Sequence, residues 1–171
     1  MNSRYSIFAI LIGMLCGTTN VSQAQPSRDS IQAAKNATAL VVLPSKRGFG
    51  TAFCIDAAGL FITNDHVVAG SREDVTLVIH SGESKEKEVK AHVLKTDNEL
   101  DIALLKTRED GPYPALKFGS DADIAETDTI VAFGYPFGTA LAVDEEKYPS
   151  ISVNVGRITA IQKIQGALER I

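Results

Sequence analysis

Six short apolar runs, separated by glycine, proline and polar turn residues, fill the stretch from residue 37 to residue 106 and constrain the fold most strongly. These runs cover residues 37–43, 49–55, 60–63, 75–80, 89–94 and 102–106. In the fourth and fifth runs, apolar and other side chains alternate with a period of two, which is typical of half-buried strands. Because many short strands at regular spacing tend to close on themselves, the pattern predicts an all-β barrel or sandwich.

The remaining chain predicts one short helix before these strands and a shorter strand series after them. Residues 27–35 carry apolar side chains at helical spacing. Residues 107–128 are rich in proline, glycine and aspartate and predict a connection, in which residues 115–118 are expected to pack against the first strands. Residues 129–135 predict a further strand, and residues 150–164 predict two more strands or one bent strand.

Composition and charge exclude several classes of protein. A chain of 171 residues that is 44% hydrophobic can build its own core, and it is not collagen-like, coiled-coil or wholly disordered. The formal net charge of −4 argues against nucleic-acid binding, because nucleic-acid binders usually carry a basic surplus. After the N-terminal segment, no apolar run reaches the roughly 18–20 residues that a membrane-spanning helix needs.

The N-terminal segment has the three parts of a secretory signal peptide. Arg4 precedes an apolar run over residues 7–15, and Ser22 and Ala24 are the small residues of a cleavage site. The alternatives are a buried helix and a membrane anchor, but the run is too short to span a bilayer unaided. We therefore expect residues 1–24 to be removed and the protein to be exported, to the periplasm or outside the cell.

Cleavage at that site would also remove Cys16 and leave Cys54 as the only cysteine. No intramolecular disulfide would then be possible in the oxidising compartment. Cys54 lies within an apolar run, which favours a small buried side chain. The alternative, a catalytic thiolate, needs a polarising neighbour, and none is close in sequence.

A histidine and an aspartate stand at strand ends that a small barrel can bring together. His66 follows the run at residues 60–63, and Asp101 directly precedes the run at residues 102–106. Such a carboxylate can hold the ring Nδ1–H, fix the tautomer and stabilise the imidazolium. The histidine and the aspartate would then be the base and the orienter of a nucleophile–base–orienter triad. On these residues alone, a structural histidine and an aspartate that caps a turn remain open alternatives.

The other two histidines belong to no motif. His80 and His92 lie on strand patterns, and we expect both at the surface. A zinc site formed by His66, His80 and His92 is disfavoured, because their spacing is neither helical nor of the CxxC type. The mixed charges of residues 85–90 predict a solvated hairpin.

Longer motifs give the His66 and Asp101 segments a context. Residues 48–55 (GFGTAFCI) and 59–68 (GLFITNDHVV) resemble the trypsin-like serine proteases of the Deg/HtrA type. Residues 101–106 (DIALLK) resemble the strand that carries the acidic residue of that family. Residues 132–138 (AFGYPFG) resemble its glycine-proline turn, and residues 153–161 (VNVGRITAI) resemble the strand pair leading toward its nucleophile. The motifs occur in the family's order.

This resemblance implies two six-stranded antiparallel barrels with the active site in the cleft between them. It implies hydrolysis of peptide bonds through an acyl-enzyme, with no metal and no other cofactor. His66 would be the general base and Asp101 its orienter. Polypeptide substrates or unfolded proteins would be the partners.

The nucleophile of the family lies in a Gly-x-Ser-Gly-Gly segment, and these 171 residues contain no such segment. The serines after Asp101 are Ser120, Ser150 and Ser152, and none stands in a glycine-rich turn. The resemblance therefore implies that the catalytic serine is absent from this chain, that only the first barrel is complete and that the chain is inactive alone.

These inferences give four expected segments. Residues 1–24 form the signal peptide, residues 25–106 the short helix and first barrel, residues 107–128 the linker, and residues 129–171 an incomplete second barrel. Free strand edges in the last segment would allow self-association. The alternative function is that of a non-catalytic secreted binding protein, which would use the first barrel and its loops to hold partners.

Overall fold

The computed structural model describes residues 26–44, 48–69, 74–142, 147–164 and 167–170. The expected signal peptide lies outside the described residues. The helices and strands are α1 (Arg28–Ala37), β1 (Thr38–Val42), β2 (Phe49–Asp56), β3 (Leu60–Thr63), α2 (Asp65–Val68), β4 (Asp74–Ile79), β5 (Lys87–Asp97), β6 (Ile102–Thr107), β7 (Thr129–Gly134), β8 (Ser152–Arg157), β9 (Gln162–Ile164) and β10 (Ala167–Arg170). In these ranges, no helix has both the length and the apolar character needed to cross a membrane.

Helix α1 forms where the sequence predicts it and runs two residues further, to Ala37. Ser27 caps its N-terminus, because the Ser27 hydroxyl accepts a hydrogen bond from the Ser30 backbone N–H at 3.0 Å. At the other end, the Thr38 hydroxyl donates to the Ala34 carbonyl at 2.8 Å and occupies one of the last helical acceptors. The chain then enters β1 directly.

Strands β1 to β6 form a closed antiparallel barrel in the order β1-β2-β3-β6-β5-β4. Strand β1 lies between β2 and β4, so that Leu40 is paired with Thr51 on one side and with Val78 on the other. Closure pairs every strand on both sides and leaves no free edge, which stabilises strands as short as four residues. The expected first barrel is confirmed.

One apolar cluster fills the barrel interior, and it includes Val41, Leu77 and Leu105. Cys54 belongs to the same cluster and is fully buried, so its interpretation as a small core residue is confirmed. Burial raises the pKa of the Cys54 thiol, although its Sγ donates to the Asp56 carbonyl. A thiol with a raised pKa is a poor nucleophile at neutral pH.

A second, smaller cluster covers the outer face of β1 and β4. Leu40, Val42 and Val78 point away from the barrel interior and pack with Tyr135, which follows β7. Strand β4 is therefore buried along both faces from Val75 to Ile79, and the expected half-burial of this strand was wrong. The alternation of side chains is present, but a segment distant in sequence covers the face that would otherwise meet water.

The two histidines outside the candidate site are less exposed than expected. His80 follows β4, and only 17% of its side chain is accessible. His92 lies in β5 between Asp74 of β4 and Lys106 of β6, and it is half-buried. The expectation of two surface histidines is only partly correct, because both side chains remain partly accessible while the Nδ1 atom of each ring is buried.

The connection after β6 meets the barrel through one residue of the expected apolar group. The Leu116 backbone N–H donates to the Cys54 carbonyl at 2.9 Å, and its side chain packs against the interior cluster. Phe118, by contrast, is 72% exposed. The expected packing of residues 115–118 is thus correct for Leu116 and wrong for Phe118, which the chain direction after Leu116 carries away from the barrel.

The second part of the chain forms two separate two-stranded sheets in the described residues. Strand β7 pairs with β8, and β9 pairs with β10. The two strands expected within residues 150–164 are β8 and β9, whereas β10 lies in residues for which no strand was predicted. The first barrel and the second part meet where the Tyr135 backbone N–H donates to the Thr51 hydroxyl at 3.0 Å.

Candidate active site

The four-residue helix α2 positions His66 at one end of the barrel. Strand β3 ends at Thr63, and Asn64 turns the extended chain into α2. Val68 is fully buried in the interior cluster and Val67 packs partly against it. Because these two valines hold α2 on the barrel, His66 is directed outward, and 71% of its side chain is accessible.

The tight turn between β5 and β6 positions Asp101. The Asp97 carboxylate accepts hydrogen bonds from the backbone N–H groups of Glu99 and Leu100, at 3.1 and 3.0 Å, and so shapes the turn. Asp101 itself has a φ of +52°, in the left-handed region. Aspartate is among the few side chains other than glycine that adopt this region readily.

The structure brings His66 and Asp101 into direct contact. His66 Nδ1 lies 2.7 Å from Asp101 Oδ2. The backbone N–H of His66 donates to the other carboxylate oxygen, Oδ1, at 2.9 Å. Both oxygens of one carboxylate therefore bind the same residue, which fixes the orientation of the imidazole relative to α2.

The ionised form of Asp101 is favoured at this position. The backbone N–H of His66, followed by its ring, holds the pKa of the Asp101 carboxyl below its ordinary value of 3.8. Because an ionised carboxylate only accepts hydrogen bonds, Nδ1 of His66 carries the proton in this contact. In the neutral form of the ring, the other nitrogen, Nε2, is then unprotonated and can accept a proton from a third group.

Asn64 is a site residue that sequence reasoning missed. Its Nδ2 donates to the Asp101 carbonyl at 3.1 Å and to the Asp101 carboxylate at 3.2 Å. The position at the start of α2 predicts a cap, but the Asn64 side chain makes no capping hydrogen bond. The available signal was an amide side chain two residues before His66, which could reach a carboxylate on the neighbouring turn.

The remaining residues considered from sequence lie elsewhere. Ser120 accepts a hydrogen bond from the Ala122 N–H, and Ser150 packs against Gly82 at the β4–β5 turn. Ser152 begins β8 opposite Gly134. Within the described part of the chain, no three histidine, cysteine, aspartate or glutamate residues gather in a group that could hold a metal ion.

His66 follows a strand, and its Nδ1 binds Asp101 on a neighbouring turn. This geometry is consistent with the comparison of the chain with known protein families. The model of the trypsin-like peptidase domain matches residues 50–170. The chain belongs to the trypsin-like peptidase domain family. The match includes most of the barrel, the His66–Asp101 pair and both of the two-stranded sheets.

The known relatives of this trypsin-like chain include proteases of the Deg/HtrA type. It is 33% identical over 90 residues to a probable periplasmic serine endoprotease, DegP-like, of Bartonella henselae, covering 53% of this chain and 17% of that protein. It is 39% identical over 88 residues to the mitochondrial serine protease HTRA2 of Bos taurus, covering 52% and 18%. The chain thus spans less than one fifth of the length of these relatives.

A solved structure shares the fold. The HtrA-type protease AlgW, solved with a tripeptide, superposes with a TM-score of 0.63 at 25% identity and covers 82% of this chain and 42% of AlgW. The expected trypsin-like fold, with a complete first barrel and a partial second sheet region, is therefore confirmed.

Proposed function

We propose that this chain supplies the general base and its orienting carboxylate to a serine endopeptidase site. The observation that carries the proposal is the 2.7 Å contact between His66 Nδ1 and Asp101 Oδ2. His66 is the base, Asp101 orients it, and Asn64 holds Asp101 through two hydrogen bonds. The solvent-facing position of His66 agrees with this role, because a base must reach a substrate-bound nucleophile.

In the proposed reaction, Nε2 of His66 takes the proton of a serine hydroxyl while the serine oxygen attacks the peptide carbonyl. The ring becomes an imidazolium, and the Asp101 carboxylate faces its positive charge at Nδ1. The same proton then passes from Nε2 to the leaving amine as the peptide bond breaks. A water molecule repeats the sequence and releases the acyl group from the serine.

We further propose that the nucleophile of this reaction is not among these 171 residues. They contain no Gly-x-Ser-Gly-Gly segment. Of the serines after Asp101, Ser120 accepts a hydrogen bond from the Ala122 N–H, Ser150 packs against Gly82 and Ser152 begins β8. The segment that carries the serine also carries the backbone N–H groups of the oxyanion hole, each worth about 10²–10³ in rate. The chain by itself should therefore be inactive.

Polypeptides are the proposed substrates, and an exported compartment is the proposed location. A tripeptide accompanies AlgW in its solved structure, and the Bartonella henselae relative is described as periplasmic. The N-terminal pattern supports cleavage after Ala24, which gives a mature protein that begins at Gln25. In this proposal, residues 25–106 carry the base and orienter, residues 107–128 link the two parts, and residues 129–171 begin the second barrel.

Activity measurements on matched chains test the proposal. Purified residues 25–171 should show no labelling by a fluorophosphonate probe and no hydrolysis of casein. A chimera extended with the C-terminal part of a Deg/HtrA relative should show both. In that chimera, His66→Ala should abolish hydrolysis, whereas His92→Ala is the matched control and should retain it.

Two results would contradict this assignment. Stoichiometric labelling of residues 25–171 alone would reveal a nucleophile within the chain. An active chimera that tolerates His66→Ala would show that another residue is the base.

A second candidate function, a non-catalytic binding protein that uses the first barrel and its loops, is favoured by the apolar side chains exposed there. Leu100 is 69% exposed, Leu94 49% and Ile102 41%. Sequencing of the coding region downstream discriminates between the two functions. A Gly-x-Ser-Gly-Gly segment there supports the protease, whereas a stop codon with a stable exported product supports the binding protein.

A further inference from the structure

The His66–Asp101 pair is exposed to solvent, and the two residues come from different elements. The side chain of His66 is 71% accessible and that of Asp101 45%. Water competes for hydrogen bonds at such a position, which makes each of them weak. Additional contacts must therefore keep α2 and the β5–β6 turn at a constant separation.

On the side of His66, the apolar core supplies these contacts. Val68 is fully buried, and Val67 packs so closely on β2 that a side chain at Gly50 would overlap it. On the side of Asp101, Glu99 and Leu100 are exposed, so the turn of residues 98–101 is held by polar contacts. These are the bonds from the Asp97 carboxylate within the turn, the two bonds from Asn64 and the polar contacts to α2.

One of these polar contacts is partly buried, because its acceptor is buried although its donor is exposed. Asp65, which directly precedes His66, is only 6% exposed. Its Oδ2 accepts a hydrogen bond from Asn98 Nδ2 at 3.2 Å, and Asn98 is the first residue of the turn. Water has little access to the Asp65 carboxylate, which accepts this bond, so the bond is expected to exchange with solvent less readily than the exposed bonds of Asp101.

We propose that Asp65 is a positioning residue, which holds the β5–β6 turn through Asn98 and thereby keeps Asp101 in contact with His66. The significance of this role for catalysis rests on the proposed function of the pair. The role itself is a property of the folded chain and can be measured without any reaction.

The backbone N–H of His66 gives the most direct measurement. It donates to Asp101 Oδ1 at 2.9 Å, so its hydrogen exchange reports how often Asp101 leaves α2. In the full chain, NMR should show a slowly exchanging His66 amide. Asp65→Ala should increase its exchange rate toward that of an unprotected amide, while core amides such as that of Leu77 keep their protection.

A second readout separates positioning from a simple charge effect. If Asp65 acted only as a nearby negative charge, its removal would lower the pKa of Asp101 further. If Asp65 positions the turn, Asp65→Ala loosens the contact with His66, and the pKa of Asp101 rises toward 3.8. The two explanations thus predict opposite directions in a carboxyl NMR titration.

The conservative variant Asp65→Asn completes the test. It removes the charge but keeps an oxygen that can accept from Asn98, so the His66 amide should stay protected. Glu99→Ala is the matched control, because it removes an exposed carboxylate from the same turn and should neither deprotect the His66 amide nor raise the pKa of Asp101. If Asp65→Ala does not fold, Asn98→Ala breaks the same bond from the other side and should deprotect His66 equally.

An Asp65→Ala or Asn98→Ala chain with unchanged His66 protection would overturn the proposal, as would a decrease in the pKa of Asp101. In an active chimera, Asp65→Ala should also lower kcat, by up to about 10²-fold, with little change in KM, and Asp65→Asn should restore it. If the chimera is inactive although the amide result holds, the proposed peptidase function fails while the positioning role stands.

Discussion

Replacement of Leu105 by alanine tests the barrel that carries the candidate site. Leu105 lies in β6 and is fully buried in the interior cluster. A Leu→Ala change in such a position removes apolar contacts and leaves a cavity, which together cost about 3–5 kcal/mol of unfolding free energy. In a unit of 60–100 residues, each kcal/mol lowers Tm by about 4–8 °C. Leu105→Ala should therefore lower Tm by at least about 12 °C.

Leu100→Ala is the matched control, because it makes the same chemical change close by in sequence. Leu100 is 69% exposed, so it retains roughly a third of the about 2–3 kcal/mol that a fully buried leucine contributes. No closed cavity forms at the surface, and the loss should stay below about 1 kcal/mol. The corresponding decrease in Tm is less than about 8 °C.

Urea unfolding followed by circular dichroism, together with thermal melts, measures both variants. The slope of free energy against urea should be unchanged, because neither substitution alters the surface exposed on unfolding. Equal losses of stability in the two variants would refute the reasoning, since they would show that Leu105 does not face a closed interior.

Three further predictions concern ionisation, reactivity and local stability. Because the folded state lowers the pKa of Asp101, its contribution to stability is complete above the ordinary value of 3.8 and is lost as the pH falls through the folded-state pKa. Asp101→Asn should therefore destabilise the chain at pH 6. A difference in unfolding free energy between the two chains that persists unchanged at pH 2 would contradict this. Cys54 should not react with iodoacetamide in the native chain but should react in guanidinium chloride, because it is buried and its thiol has a raised pKa; rapid native labelling would argue against its place in the core. Amide exchange should be slower across residues 37–106 than across residues 129–164, because a closed barrel opens less often than two-stranded sheets, and uniform protection of both regions would count against this view.

Local patterns in the sequence were sufficient to locate the strands of the barrel. Strand β3 begins and ends at the expected residues, Leu60 and Thr63, and α1 begins at Arg28, one residue after the expected start. Glycine, proline and polar turn residues mark the ends of most strands, and these signals act over a few residues. The burial of Cys54 followed from its apolar neighbours in the same way.

The outer face of β4 could not be predicted from its own residues. Val78 alternates correctly with the interior positions, yet it is fully buried because Tyr135 packs over it. The covering residue is distant in sequence, and the strand pattern of β4 carries no information about it. The half-buried rings of His80 and His92 have the same origin, in neighbours that only the folded chain provides.

In the candidate site, too, some features follow from the sequence and others only from the tertiary structure. The sequence by itself determined which chemistry the chain offers, because a histidine after β3 and an aspartate before β6 are identifiable from strand patterns and from family motifs. Only the tertiary structure decided how the pair is held. The two hydrogen bonds from Asn64 to Asp101 and the partly buried contact of Asp65 with Asn98 join residues more than 30 positions apart. The residue type sets the hydrogen bonds that a side chain can make, whereas closure of the barrel sets which partner is within reach.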